Sequence, residues 1–135
     1  MSNYDLAINP NTSQETLERL ANDESSYVRR YVALNPNTPP EALEGLANDE
    51  EYWHVRYGVT QNSNTPPETL ERLANDKHPD VRYYVAENPN TSPEILARLV
   101  DDENWFVRQC VATHHNTPQY IKDYLKIKKF LNYYE

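Results

Sequence analysis

A segment of 26 residues is repeated four times along this chain, and this repetition constrains the fold more than any other feature. An Asn-Thr dipeptide marks each step, and its positions are Asn11, Asn37, Asn64, Asn90 and Asn116. The single step of 27 residues adds its extra residue in a variable loop between Asp49 and Val55, where stacked repeats accept insertions. A fixed period of this length predicts a chain of identical structural units packed side by side.

Each unit carries two apolar patterns with helical spacing. The first is a pair of leucines three residues apart: Leu17/Leu20, Leu43/Leu46, Leu70/Leu73 and Leu96/Leu99. The second is a pair of valines four residues apart: Val28/Val32, Val55/Val59, Val81/Val85 and Val107/Val111. Both intervals place the two side chains on one face of a helix. Helices this short are not stable alone, so we expect them to stack into one continuous core.

These patterns predict an all-α solenoid of about four and a half two-helix repeats, each of 26 or 27 residues, with a longer C-terminal capping helix. The predicted boundaries are a half-repeat at 1–10, repeats at 11–36, 37–63, 64–89 and 90–115, and a cap at 116–135. One stripe of the last helix carries Tyr120, Tyr124, Ile127, Leu131 and Tyr134. We expect it to cover the open core of the last repeat; the alternative is a dimer or partner face.

Start and stop signals flank the predicted helices. Threonines precede the leucine helices with a glutamate three residues later, which is typical of a capping box; the pairs are Thr12/Glu15, Thr38/Glu41, Thr65/Glu68 and Thr91/Glu94. Pro39 and Pro66 are then expected at the first helical position. Asn-Pro is expected to end the valine helices, at Asn35 and Asn88.

An arginine follows the first valine of every unit, and an aspartate ends every leucine helix. The arginines are Arg29, Arg56, Arg82 and Arg108, and the aspartates are Asp23, Asp49, Asp76 and Asp102. An anion-binding row is one interpretation. Because every arginine is matched by an aspartate, we predict a structural ladder of ion pairs between units.

One unit reads Pro-x-x-x-Leu-x-x-Leu-Ala-x-Asp, a loop, then Val-Arg-x-x-Val-Ala-x-Asn-Pro, and it resembles the leucine-rich repeat variant family and, more distantly, HEAT repeats. The resemblance covers residues 4–118. It implies a right-handed α-solenoid, with one helix of each unit either 3₁₀ or α. An iron–sulfur centre described in that family needs several cysteines, and this chain has only Cys110.

Charge and composition restrict the function classes. The net charge is −8, and residues 1–119 carry nineteen acids against nine bases, which disfavours nucleic-acid binding. One cysteine, no long apolar run and no signal-peptide pattern favour a cytoplasmic protein that binds no membrane. We predict no catalytic constellation, cofactor or metal site, because His114 and His115 have no further ligands at metal-binding spacing.

The candidate partner-binding residues form two groups. A helical projection of the valine helices places a variable strip away from the core, with Arg30, Tyr57, Gln61, Tyr83, Glu87 and Gln109. The loops before these helices add Trp53 and Trp105, with Tyr27, Tyr52, His54, His78 and Phe106 nearby. Tyrosine, tryptophan and arginine dominate binding hot spots. The alternatives are surface tyrosines without function and, for Trp105 and Phe106, aromatic rings that seal the joint between units.

A non-enzymatic protein–protein interaction module, an adaptor, scaffold or inhibitor-like binder, is therefore the leading functional hypothesis. An enzyme acting on nucleic acid or a cofactor is one alternative, and a structural protein that oligomerises through the C-terminal helix is another. We expect a monomer, with a homodimer through that helix as the other possibility.

Overall fold

The computed structural model describes residues 1–134 of the chain, and the side chains of residues 1–131. This described part folds into ten α-helices and contains no strand. The helices are α1 Asn3–Ile8, α2 Gln14–Leu20, α3 Ser26–Leu34, α4 Pro40–Leu46, α5 Trp53–Thr60, α6 Pro67–Leu73, α7 Pro79–Glu87, α8 Pro93–Leu99, α9 Trp105–Thr113 and α10 Gln119–Tyr134. The predicted all-α repeat fold is confirmed, and both helices of each unit are α.

The leucine and valine pairs form a single apolar core that runs through all units. Leu17, Leu43, Leu70 and Leu96 are at most 2% exposed, and Val55, Val81 and Val107 are completely buried. Burying a side chain of this size contributes roughly 1.5–3 kcal/mol. The even helices α2 to α8 supply the leucines and the odd helices α3 to α9 supply the valines. The stacking that the repeat predicted therefore holds the fold together.

The threonines of the Asn-Thr dipeptide do not cap the helices that follow, so this prediction is wrong. The N-cap is the next residue, which is Ser13, Pro39, Pro66 or Ser92. The hydroxyl of buried Thr38 donates instead to the carbonyl oxygen of Val32, six residues earlier, at 2.5 Å. Thr12, Thr65, Thr91 and Thr117 make the same bond. Each hydroxyl thus satisfies a carbonyl near the end of the preceding odd-numbered helix, and the predicted capping boxes do not form.

In the first three full units, an asparagine side chain joins the unit to the one before it. Asn62 is buried, and its amide nitrogen donates to the carbonyl oxygens of Ala33 and Asn35, each at 2.8 Å. Its amide oxygen accepts from the backbone N–H of Asn64 at 2.9 Å. Asn35 and Asn88 lie at the equivalent positions, and each caps its valine helix as predicted.

His114 replaces the asparagine in the last unit. Its Nε2 lies 2.7 Å from the carbonyl oxygen of Asn88, and its Nδ1 accepts from the backbone N–H of Asn116 at 3.0 Å. The two bonds together fix the neutral tautomer with the proton on Nε2. The histidine is therefore engaged in joining the units.

The predicted ladder between arginine and aspartate is confirmed for three pairs. Its ion pairs are Arg29–Asp49 at 2.9 Å, Arg56–Asp76 at 2.6 Å and Arg82–Asp102 at 2.8 Å. Each arginine also donates to the backbone carbonyl of the aspartate in its own unit, as Arg108 does to Asp102. These guanidinium groups stabilise the stack and are not free to form an anion-binding row.

The C-terminal helix α10 covers the last repeat with different residues from those predicted. Ile121 is buried and Leu125 packs on the core, one position after Tyr120 and Tyr124. The predicted stripe faces outward, with Tyr120, Tyr124, Ile127 and Leu131 at least 40% exposed; the side chain of Tyr134 lies outside the described residues. Asp101 holds α10 in place by accepting hydrogen bonds from the Tyr124 hydroxyl and Lys128.

Over the described residues, none of the helices has the length and apolar character that crossing a membrane requires.

Candidate partner-binding groove

A groove of about 550 Å³ crosses three consecutive valine helices, α3, α5 and α7, and reaches the start of α9. Its lining is mostly aromatic and consists of Tyr27, Arg30, Trp53, His54, Tyr57, Asp80, Tyr83, Tyr84, Asn104 and Phe106. The groove therefore spans four repeats, and each repeat contributes at least two side chains. Its position on the stack follows from the valines, which turn one face of each helix into the core and leave the opposite face to the groove.

Trp53 forms the middle of the groove at the first residue of α5. Its ring stacks on His78 of the next unit, with ring centres 4.1 Å apart and planes at 10°. Tyr57, one turn later on the same helix, meets Trp53 edge to face at 6.4 Å. Trp53 is half-buried and packs on the core, so its ring is held rigidly between two units.

Tyrosines of α5 and α7 continue this aromatic wall. Tyr57 meets Tyr84 at 4.4 Å, and Tyr84 meets Tyr83 at 4.9 Å, both edge to face. Such aromatic pairs contribute roughly 0.5–1.5 kcal/mol beyond the area that they bury. The tyrosines are half-buried, which leaves part of each ring open to a partner.

Gly58 allows α5 to approach α3 closely beside the groove. A Cβ atom on this residue would lie 2.9 Å from the Cβ of Ala33 and 3.1 Å from the carbonyl oxygen of Arg30. The units on either side hold Tyr31 and Tyr84 at this position of the repeat. The close approach brings Tyr57 next to Arg30 at one end of the groove.

Arg30 places a positive charge at that end. Its guanidinium carbon lies 5.6 Å from the ring centre of Tyr57 and 5.8 Å from that of Tyr31. Its Nε atom is buried and has no hydrogen-bond acceptor among the described residues. No described carboxylate forms an ion pair with Arg30, whereas its neighbour Arg29 is paired with Asp49. The guanidinium is thus held by tyrosine rings and not by a counter-charge.

Burial and neighbouring charges shift the pKa values of titratable groups at or near the groove, among them His54, Tyr83 and Cys110. Burial, and then the charge of Arg30, lower the pKa of His54, so its ring is neutral. The Cys110 sulfur, once it ionises at high pH, and then the Glu87 carboxylate raise the pKa of Tyr83 to about 12, so the Tyr83 hydroxyl keeps its proton at neutral pH. Burial raises the pKa of Cys110, so the thiol form prevails and the thiolate that a nucleophile needs is disfavoured. Besides these groups, the groove lining contains one guanidinium, that of Arg30, and one carboxyl group, that of Asp80.

Four of the eight residues predicted from the sequence line this groove: Arg30, Trp53, Tyr57 and Tyr83. They come from both predicted groups, the strip and the loops. The structure therefore joins what the sequence presented as two patches into one surface. Asp80, Asn104 and Tyr84 complete the lining and were not among the predicted residues.

The other four predicted residues lie elsewhere: Gln61, Glu87, Gln109 and Trp105. Gln61 and Glu87 border a separate small recess near the C-terminal ends of α5 and α7. Gln109 is exposed on α9. Trp105 is 56% exposed and Phe106 62%, so these rings do not seal the joint between units.

The position of a residue within the repeat explains why some predicted residues line the groove and others do not. The residue just before the first valine lines the groove in every repeat, as Tyr27, His54, Asp80 and Phe106. It lies three residues before the position of Arg30, Tyr57 and Tyr83, so the two positions share a helix face. Side chains on a helix lean toward its N-terminus, which places the groove over the first turns and excludes the later positions of Gln61 and Glu87. An alignment of the four repeats shows that the position before the first valine varies in the same way, so it could have identified these groove residues from the sequence.

Comparison with known protein families finds two matches. Residues 57–112 match a family described as leucine rich repeat variant domain, and residues 28–51 match one described as leucine rich repeat variant. Together the two matches cover more than half of the chain. A search of curated proteins gives no match.

A solved structure is similar to the fold of this chain over most of this chain's length. It is described as a leucine-rich repeat variant with a novel repetitive protein structural motif, and it is 26% identical with a TM-score of 0.64. The alignment covers 87% of this chain and 51% of that one. The chain therefore spans about half the length of that protein.

Proposed function

Because the chain belongs to the leucine-rich repeat variant family, whose fold is a repeat scaffold, we propose that it is a non-enzymatic module that binds another protein through the aromatic groove. The groove residues Arg30, Trp53, Tyr57 and Tyr83 contact the partner in this proposal. The stacked repeats supply rigidity, and the groove supplies the recognition surface.

The observation that carries this proposal is the contrast between two sets of side chains. The recurring polar residues are engaged in the stack, through the arginine–aspartate pairs and the asparagine bonds to carbonyl oxygens. The groove residues vary from unit to unit and are rich in tyrosine, tryptophan and arginine, which are over-represented at binding hot spots. Rigid aromatic rings lose little side-chain entropy on binding, so they suit a partner-binding surface.

The same contrast weakens the alternative of an enzyme that acts on nucleic acid. Such an enzyme needs free cations for the phosphate groups. Arg29, Arg56 and Arg82 are paired with aspartates, and the acidic body repels phosphates.

A display selection of random peptides on the purified chain tests the proposal. Peptides that bind the wild type are then measured against Trp53→Ala and Tyr57→Ala, with Gln61→Ala and Gln109→Ala as controls outside the groove. We expect the two groove variants to bind at least about tenfold more weakly and the two controls to bind like the wild type. Equal affinity for all four variants would refute a role for the groove.

The exposed stripe of α10 favours a second function, self-association. Tyr120, Ile127 and Leu131 are 57–67% exposed, and the lysines of this helix complement the acidic body of a second copy. Light scattering of the chain at several concentrations tests this function. A dimer that Ile127→Glu converts into a monomer would support it, and a monomer at all concentrations would exclude it.

A further inference from the structure

Arg30 differs from the ladder arginines in both position and surroundings. It occupies the register position that holds Tyr57 and Tyr83 in the next two repeats, so it belongs to the groove and not to the ladder. The ladder arginines form ion pairs with aspartates, and Arg30 forms none with a described residue. In a chain of net charge −8, a half-buried arginine that avoids every carboxylate indicates a recognition element.

The guanidinium of Arg30 is oriented before any partner arrives. The rings of Tyr31 and Tyr57 both contact it, with centres 5.8 and 5.6 Å from its central carbon, and the buried atom without an acceptor is Nε. The two terminal nitrogens form no hydrogen bond with a described residue, and the side chain borders the groove. Two parallel N–H donors on a fixed plane match the two oxygens of a carboxylate.

The charges of the groove fit a monoanion better than a phosphate. With His54 neutral, Arg30 supplies one positive charge, and Asp80 places a negative charge on the groove two repeats further on. A phosphate group carries about −1.5 to −2 charges, and its binding sites usually combine several cations. The rest of the wall, from Trp53 to Tyr84, is aromatic and suits an apolar or aromatic side chain.

We propose that the groove binds a peptide segment of a partner protein in which an aspartate or glutamate lies beside an aromatic residue. The carboxylate binds the terminal nitrogens of Arg30, and the aromatic ring packs against Trp53 and Tyr57. This inference rests on the proposed protein-binding function and names the chemistry of its partner. Asp80 disfavours a second acid two repeats further along the groove, so the order of the two residues along the peptide sets its direction across the repeats.

The experiment starts from displayed random peptides selected on the full chain and counter-selected on Tyr57→Ala, which leaves only peptides that need the groove. We expect the retained peptides to share an acid next to an aromatic residue. We then synthesise one such peptide in three versions: with the acidic residue kept, with it changed to its amide (asparagine or glutamine), and with it changed to phosphoserine. Each version is titrated against the wild-type chain and Arg30→Gln. Arg19→Gln is the matched control, because it removes the same charge from an exposed residue of α2 outside the groove.

We expect the amide peptide and Arg30→Gln each to weaken binding about 10- to 100-fold, and the two changes together to weaken it no further. Arg19→Gln should bind within about twofold of the wild type, and phosphoserine should bind no more tightly than the acid. If Arg30→Gln does not fold, Arg30→Lys and the amide peptide test the same contact, since lysine lacks the paired donors.

Groove-dependent peptides without an acid, or with equal affinity for Arg30→Gln, would overturn this inference and leave the protein-binding function intact. Tighter binding of the phosphoserine peptide would overturn it in favour of a phosphopeptide. The absence of any groove-dependent peptide would overturn both proposals. A dimer of the chain that Tyr57→Ala dissociates would identify a second copy as the occupant and also overturn the inference.

Discussion

The chain has two glycines, and the structure predicts opposite effects when each is changed to alanine. Both lie inside short helices, Gly45 in α4 and Gly58 in α5, and neither has a positive φ. Alanine can therefore adopt either backbone conformation. The difference lies in the space that a Cβ atom would enter.

No atom lies within 4 Å of a Cβ built on Gly45, so Gly45→Ala adds only helix propensity. That substitution raises the free energy of unfolding by up to about 1 kcal/mol. A Cβ on Gly58 would lie 2.9 Å from the Cβ of Ala33 and 3.1 Å from the carbonyl oxygen of Arg30, and neither atom is at the end of a flexible side chain. Overpacking of this kind typically destabilises by about 1–3 kcal/mol, so the gain in propensity is offset and the net effect is a loss of about 0–2 kcal/mol.

Urea unfolding followed by far-ultraviolet circular dichroism measures both variants. We expect Gly45→Ala to be more stable than Gly58→Ala by about 1–3 kcal/mol, with unchanged m-values. The near-ultraviolet spectrum should change in Gly58→Ala alone, because α5 must move away from α3 and Tyr57 moves with it. If Gly58→Ala gains as much stability as Gly45→Ala, the close helix approach described here is incorrect.

Four further predictions concern the joints between units. Arg56→Gln should lower the free energy of unfolding by about 3–5 kcal/mol, because it leaves a buried aspartate unpaired, and a loss below about 1 kcal/mol in urea unfolding would contradict it. Asn62→Ala should lower it by about 2–4 kcal/mol in the same assay, since two buried hydrogen bonds and one partly buried hydrogen bond disappear; unchanged stability would speak against the joint. His114→Asn should stay within about 1 kcal/mol of the wild type, because asparagine fills this position in the other units, whereas a large loss would show that the imidazole has its own role. A hydrogen bond from Lys128 lowers the pKa of Asp101, so the bond between Asp101 and α10 persists above about pH 4 and weakens as the pH falls through the lowered pKa. Amide hydrogen exchange of α10, measured at neutral and acidic pH and corrected for intrinsic rates, should therefore show a loss of protection at acidic pH in the wild type but not in Asp101→Asn.

The repeat allowed the core to be predicted residue by residue, because the large apolar residues that recur in every unit are the leucines and valines at helical spacing. The role of Thr38 was predicted wrongly for a physical reason. A hydroxyl just before a helix can accept from an amide ahead of it or donate to a carbonyl behind it, and both fit the same spacing. Thr38 is buried under the preceding valine helix, so its hydroxyl donates to the carbonyl oxygen behind it. This burial arises only when the units stack, and the sequence of one unit does not show it.

The sequence predicted some of the residues that line the groove but not the extent of the groove. Variation among units selected Tyr57 and Tyr83, which line the groove, and partner binding by them stays a prediction. A projection down the helix axis, however, treats Gln61 as their neighbour, although it lies a full turn away along the axis. The lack of an ion pair at Arg30 could not be predicted, because it depends on where the acids of other units lie. Sequence patterns define the faces of helices, whereas a groove also depends on how closely neighbouring helices approach each other, as α5 and α3 do at Gly58.

The asparagine that joins neighbouring units has an evolutionary consequence. Asn62 binds main-chain oxygens of the preceding unit, which are present whatever side chains that unit carries. This bond is therefore generic, so when a gene duplicates, deletes or transposes a unit, the asparagine places no requirement on the side chains of the unit next to it. New combinations of groove residues then arise by shuffling whole units, so recognition in such an array can change faster than its architecture.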